Sequence, residues 1–276
     1  NLSPLSLPGS IGVATTASMR EQGVPPWRLY AADVAHPLHG VVAAPGVDPM
    51  AYTTKIAALR SVLDDGHFLS RRTAARELDI PLLPGTSAFE VGAIAPRKAR
   101  RRPGVHGHQL RAGVLRKLPH APLWLPHPAD IWGLLAATSS LDALIVSGDF
   151  LISGRNRHAR PLTTITDLAE TVVRFSRCRG VDQLRAALPL LRTGVESPAE
   201  SLTRRLITRA GFPEPQTSCP VAVDGRILHA DLGYPALKIA IEYDGEYHFT
   251  GGTQRAKHDN ERIESMIAAG WRVLRL

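Results

Sequence analysis

The chain is short of cysteine, of aromatic residues and of long apolar runs, and each shortage excludes something. Cys178 and Cys219 are the only two cysteines among 276 residues, far apart and in no C-x-x-C spacing. Neither a structural zinc site nor a disulfide framework is therefore implied. The longest apolar runs, such as Ala143 to Val146 and Ile239 to Ile241, fall far below the roughly 20 residues that a membrane-spanning helix needs. No basic stretch followed by an apolar one opens the sequence at Asn1, so the expectation is a soluble, cytoplasmic protein without a signal peptide. Acids are missing from one long stretch: none lies between Glu90 and Asp130, where eight Lys or Arg fall from Arg97 to Lys117.

What is present fits a globular chain of more than one packed unit. Its 44% hydrophobic content is ordinary and its length exceeds one average domain. A formal charge of +8 and a pI near 10.0 suit a polyanionic partner, because each Lys or Arg that neutralises a phosphate releases counterions. Residues 1–80 begin with a short helix, Thr15 to Gly23, that has a Thr cap and a Gly stop. Pro25 and Pro26 open a second helix, and Leu38 to Ala44 resembles a strand. That order suggests a winged helix-turn-helix, and a plain helical subdomain fits the same spacing. Met50 to Leu63 and Ser70 to Leu78 read as further helices.

Residues 81–193 form the expected middle module. Phe89 to Ala95 and Gly104 to Leu110 look like the two strands of a β-hairpin carrying the run Arg97-Lys98-Ala99-Arg100-Arg101-Arg102. A charge run is often only a solvated face, but one without compensating acids attracts phosphate. Arg97, Lys98, Arg100, Arg101, Arg102 and Arg111, with Lys257 further on, are the candidate nucleic-acid contacts. From Pro128 to Arg192 the period is helical. Asp149, His127 and His158 show no catalytic spacing there and read as caps or surface groups.

Residues 194–276 carry the chemistry. Ser197-Pro198-Ala199-Glu200 opens a helix whose buried side is expected at Leu202, Leu206 and Ala210. Gln216 to Val223, the turn Asp224-Gly225 and Arg226 to Leu232 read as a hairpin. Leu237 to Asp244 is an apolar strand ending in two acids. A helix capped by Thr253, with Ile263, Met266 and Ile267 inward, precedes the strand Trp271 to Leu276. Strand alternation puts Lys238, Glu242 and Asp244 on one face. Two carboxylates about 7 Å apart repel unless a cation lies between them, and a hard divalent ion suits carboxylate ligands. Asp231 lies eleven residues before Glu242 across one tight turn, so an antiparallel pairing brings it beside them. The plainer reading is that Asp231 and Asp244 only serve turns.

The stretch Asp231…Lys238-Ile239-Ala240-Ile241-Glu242-Tyr243-Asp244-Gly245-Glu246-Tyr247-His248, then Asp259…Arg262 and Gly270-Trp271-Arg272-Val273-Leu274-Arg275, resembles the very-short-patch-repair branch of the PD-(D/E)xK nucleases. The resemblance covers about eighty residues. It implies a restriction-endonuclease-like mixed sheet flanked by helices and magnesium-dependent hydrolysis of DNA phosphodiesters, with manganese as an alternative ion. On that resemblance Asp231 and Glu242 are metal ligands, Asp244 and His248 are further ligands or proton-transfer groups, and Glu200 matches an acid that the first helix points at the metal. Its capping position explains Glu200 equally well. The family pattern has Lys two residues after the second acid, and this chain has Asp244 there. His248, Gln254 and Lys257 are the alternative donors.

Gly12 to Thr16, Gly23-Val24, Leu38 to Val42 and Leu69 to Ala75 resemble the winged-helix segment of abortive-infection type IV antitoxins. The combined expectation is a multi-domain α/β endonuclease with duplex DNA as partner and no membrane. A non-catalytic DNA-binding regulator is the alternative, and an RNA-processing factor a third.

Overall fold

The structure, a computed structural model, describes residues 12–64, 66–85, 88–99, 103–116, 125–154, 160–243 and 252–276, the side chains of 252–259 excepted. It is a mixed α/β chain in two compact units. One comprises Asn1–Leu69, Ala88–Ala112 and Leu118–Leu125, and the other Ser70–Ser87, Gly113–Lys117 and Pro126–Leu276. These units cut across the three segments expected from sequence.

The first unit opens with β1 (Val13–Thr15), α1 (Thr16–Glu21), α2 (Pro26–Leu29), β2 (Ala35–Leu38) and β3 (Val41–Ala43). Thr15 caps α1 by accepting from Ser18 N, and Pro26 starts α2. The expected strand from Leu38 to Ala44 is instead the end of β2, a turn at His39-Gly40, and β3. Gly40 takes a φ of 78° that bends the chain there. The strands pair antiparallel in the order β1-β3-β2. Ala14, Met19, Leu29, Val34 and Val42 form the core beneath them. The two short helices are present as expected, and a paired hairpin, β2 and β3, follows where a single strand was expected. Then α3 (Tyr52–Ser61) leads to β4 (His67–Leu69).

After α4 (Arg71–Glu77), which belongs to the second unit, come β5 (Phe89–Ile94) and β6 (Val105–Leu110). The predicted hairpin is not one. β5 pairs antiparallel with β4 and parallel with β6, Phe89 opposite Val105 through Ile94 opposite Leu110. The residues between β5 and β6 are therefore a crossover, not a tight turn.

The second unit continues with α5 (Pro128–Leu135), α6 (Leu141–Ile152), α7 (Ile165–Arg174), α8 (Val181–Ala187) and α9 (Pro198–Arg209). It ends in β7 (Gln216–Val223), β8 (Arg226–Tyr234), β9 (Ile239–Glu242), α10 (Gly252–Ala268) and β10 (Arg272–Arg275). Helix, three strands, helix and strand is the order read from sequence. The sheet runs β10-β9-β8-β7, with β9 parallel to β10 and antiparallel to β8. Asp224 and Gly225 both take positive φ, 45° and 74°, as a two-residue hairpin turn requires. Cys219, Val221, Val223, Ala230, Ala240, Met266 and Trp271 form the core of this part.

Three details of the second unit depart from expectation. Ile267 is exposed, while Ile263 and Met266 are buried. Helix α10 starts at Gly252, so Thr253 is inside it and not its cap. Lys238 is not part of the strand. It takes a left-handed conformation, φ 50° and ψ 44°, at the end of a 3-10 turn over Pro235–Leu237, and β9 begins one residue later.

Candidate functional site

Two charged regions were expected, and the structure treats them differently. In the first unit Arg97, Lys98 and Arg111 are exposed, which suits contact with a polyanion. They are not all unopposed. Arg97 lies 3.2 Å from Asp64, and the loop is pinned by Gln109, which donates to the Arg97 carbonyl at 2.7 Å. His67 holds it from the other side, with Nδ1 on Asp64 and Nε2 3.1 Å from the Lys98 carbonyl. Arg100, Arg101 and Arg102 lie outside the described residues, as does the side chain of Lys257. Arg116 leaves the basic cluster altogether. It belongs to the second unit, where its guanidinium pairs with Asp167 and Glu170.

The acids converge on the open end of β8 and β9. Leu232 opposite Ile241 is the last pair of that ladder, and the next residues are Asp231 and Glu242. Carboxylates on directly opposite strand positions stand on Cβ atoms about 5 Å apart. Gly233 allows the strands to close behind them, since a Cβ there would meet Cys219 Sγ and the Ile239 carbonyl, each at 2.7 Å. Asp231 Oδ2 accepts from Tyr243 N at 2.8 Å. That bond fixes the carboxylate where β9 ends, so Asp231 does not cap the Leu232-Gly233 turn.

Glu242 is 3% exposed, and its Oε2 accepts from Arg262 Nη2 at 2.7 Å. Arg262 comes from α10, and its Nη1 also donates to the His229 carbonyl of β8 at 2.8 Å. The guanidinium therefore spans both strands beside the acids. Sequence reasoning noticed Arg262 only as part of a resemblance and gave it no role. Its signal was its place one helix after Glu242 in a stretch that returns over the same sheet.

Glu200 enters from α9. Ser197 Oγ accepts from Glu200 N at 3.2 Å, and Glu200 Oε2 accepts from Glu196 N at 2.9 Å. The capping reading is thus correct, but it is not the whole account. Burial and the nearby negative charge of Asp231 push the Glu200 carboxyl up to about 7, against a stabilising bond from Glu196 N. A buried carboxyl beside another acid is costly to ionise. Glu200 and Asp231 are therefore neighbours in one field, which the helix spacing alone did not reveal.

Asp244 and His248 lie outside the described residues. Among the described residues no group of three or more His, Cys, Asp or Glu is gathered into a ready metal cage. The acids near β8 and β9 are instead each turned to a protein donor. Their chemistry still suits a hard divalent cation, because the donors are all carboxylate oxygens and the Glu200–Asp231 repulsion is what such an ion would relieve.

Asp149, expected as a cap or surface group, is fully buried. It accepts from Arg192 N at 2.7 Å, Ser201 Oγ at 2.8 Å and Arg204 Nη2 at 2.8 Å. His127 does cap α5, accepting from Ala129 N at 3.2 Å, while His158 is outside the described residues. No helix of the described residues is long and apolar enough to cross a membrane.

No family model matches the chain, and no curated protein does. A solved structure, the RV2827C protein from Mycobacterium tuberculosis, is similar over 66% of this chain and 78% of its own, at 14% identity and a TM-score of 0.39.

Proposed function

We propose that this protein is a divalent-metal-dependent DNA endonuclease whose C-terminal part hydrolyses phosphodiesters with Mg²⁺ or Mn²⁺. The observation that carries the reading is the placing of Asp231 and Glu242 one position beyond the last β8–β9 pair, with Glu200, its carboxyl raised by burial and then by the charge of Asp231, near Asp231. A buried carboxyl whose ionisation is shifted by a neighbouring acid is a candidate functional group, and carboxylate oxygens suit a hard divalent cation. The resemblance of Asp231 to Arg275 to the very-short-patch-repair branch of the PD-(D/E)xK nucleases adds the reaction class. The helix, three strands, helix and strand of the sheet agree with that resemblance.

Asp231, Glu242 and Glu200 would hold the ion, with Asp244 and His248 as further ligands or proton-transfer groups. When bound, a divalent ion supplies Lewis-acid charge to the phosphate undergoing hydrolysis. The chain's own residues supply the rest. Tyr243 N fixes the Asp231 carboxylate, Ser197 and the Glu196 amide fix Glu200, and Arg262 holds Glu242 Oε2. The exposed cations Arg97, Lys98 and Arg111, with Arg100, Arg101, Arg102 and Lys257, would bind DNA phosphates without regard to sequence. The two short helices and hairpin of the first unit suit docking on duplex DNA.

One observation favours a second reading. Glu242 is engaged by Arg262, and Asp244 stands where the family has Lys, as in a DNA-binding regulator whose nuclease fold no longer turns over. Cleavage of supercoiled, linear, mismatched and single-stranded DNA, with RNA alongside, separates the two. Mg²⁺-dependent cutting should be lost in Asp231→Ala and Glu242→Ala, while binding in EDTA stays intact or tightens. Wild-type protein that binds duplex DNA but neither binds a divalent ion nor cuts any of these substrates would leave the regulator as the correct account, and cutting confined to RNA would change the substrate class.

A further inference from the structure

We infer that Arg262 is an internal counter-ion of this site: it occupies Glu242 while no divalent ion is bound and, once an ion displaces it, binds a phosphate of the substrate. The inference rests on the endonuclease reading and deepens it. Its basis is the position of one guanidinium. Glu242 is almost wholly buried, yet its carboxylate is matched by Arg262 at 2.7 Å. A buried carboxylate keeps its charge only beside a positive partner. Arg262 provides that partner from a different element, and it is anchored on the opposite side by the His229 carbonyl at 2.8 Å. The arginine side chain is 31% exposed, against 4% for the glutamate. Its side chain is thus partly open to solvent while the acid it holds is not.

Arginine has five N–H donors in a planar fork. The bonds to Glu242 and His229 engage two of its three nitrogens, and the fork matches phosphate oxygens as well as it matches a carboxylate. An ion that binds Glu242 through Oε2 competes with Arg262 for that oxygen. The guanidinium, still held near the strands through α10, is then free to take up the substrate's charge.

Two measurements on the full-length chain read the exchange: Mn²⁺ affinity by calorimetry, and the salt dependence of duplex binding in EDTA and in Ca²⁺. Arg262→Met should tighten Mn²⁺ binding about fivefold or more, as removal of a competing contact does. In Ca²⁺ it should also flatten the slope of log K against log salt by about one, the loss of a single phosphate contact, and leave the slope in EDTA unchanged. Arg272→Gln, which removes an exposed cation of β10, should change neither and so controls for general charge. If Arg262→Met does not fold, Arg262→Gln removes the charge with smaller loss of hydrogen bonding and should give the same signs. Weaker Mn²⁺ binding in these variants would make Arg262 a structural support and overturn the inference, as would equal slopes in EDTA and Ca²⁺ that match wild type. If wild type binds Mn²⁺ and cuts DNA while the variants keep both values, only this inference falls. If wild type binds no divalent ion, the endonuclease reading falls and the inference with it.

Discussion

Helix α9 buries two opposite charges four residues apart, and the protein handles them in opposite ways. Arg204 is 1% exposed and paired through both terminal nitrogens: Nη2 donates to Asp149 at 2.8 Å and to the Leu190 carbonyl at 3.0 Å, Nη1 to Glu214 at 2.6 Å. Arg192 completes the group through Glu214 at 2.6 Å. Two arginines face two acids, so the cluster is neutral. Glu200, one turn earlier, faces Asp231 and Glu196, both of which raise its pKa. The first arrangement is an ion-pair network that ties α9 to α6 through Asp149. The second sets acids near one another, and burial together with the charge of Asp231 raises the Glu200 carboxyl. A paired buried cation and a raised buried carboxyl thus lie a single turn apart on one helix.

The comparison is broken most easily at Arg204. In Arg204→Met, Asp149 stays buried without its guanidinium, and removing one member of a buried pair costs about 3–5 kcal/mol. Urea unfolding should show that loss, and the double replacement Asp149→Leu with Arg204→Met should recover much of it, because two apolar groups leave no orphaned charge. A cost under about 1 kcal/mol would mean that the network contributes little and that the contrast with Glu200 is wrong.

Glu200 gives a smaller and pH-dependent effect. Its carboxyl is raised from 4.5 to about 7 in the folded chain, so the folded state binds the proton more tightly than the unfolded state. The stabilisation from that proton is complete below about pH 4.5 and is lost as pH rises through about 7. The shift corresponds to about 3 kcal/mol at most. Glu200→Gln carries no titrating group, so its stability relative to wild type, in EDTA, should rise between pH 5 and pH 8. Asp231→Asn should shrink that rise, because the carboxylate of Asp231 is one of its causes. A wild-type and Glu200→Gln difference that does not change with pH would place Glu200 outside the field of Asp231.

How much of this was legible follows from the kind of signal each feature leaves. Local chemistry was readable: Thr15, Ser197, the Asp224-Gly225 turn and the order of elements from α9 to β10 all stand where cap, proline and turn residues put them. The pairing of Asp231 with the end of β9 was readable too, since one tight turn leaves few registers. Pairing across distance was not. β5 and β6 have the same composition whether parallel or antiparallel, and the partner that decides it, β4, lies twenty residues upstream. Lys238 was placed on a strand because alternation extends through it, whereas the 3-10 turn before it sets its backbone. Asp149 and Arg204 were missed because a buried ion pair is made by tertiary contact and leaves no period in either helix.

The smallest expected effect sharpens this point. Apolar spacing on α9 predicts that Leu206 faces inward, yet Leu206 is 71% exposed and the buried residues of the helix are Glu200, Ser201 and Arg204. The helix has turned its charged side to the protein because Asp149, Glu214 and the Glu196 amide await it there. Each of those bonds would be forfeited if Leu206 were inward. Burying one leucine is worth about 1.5–3 kcal/mol, less than the cost of leaving Asp149 unmatched in the interior. Leu206→Ala should therefore change stability by no more than about 0.5 kcal/mol, while Ser201→Ala, which removes the 2.8 Å bond to Asp149, should cost about 1–3 kcal/mol. Urea melts of the two variants decide the orientation. A loss of about 2 kcal/mol or more at Leu206, with none at Ser201, would rotate α9 by half a turn and take Glu200 away from Asp231 as well.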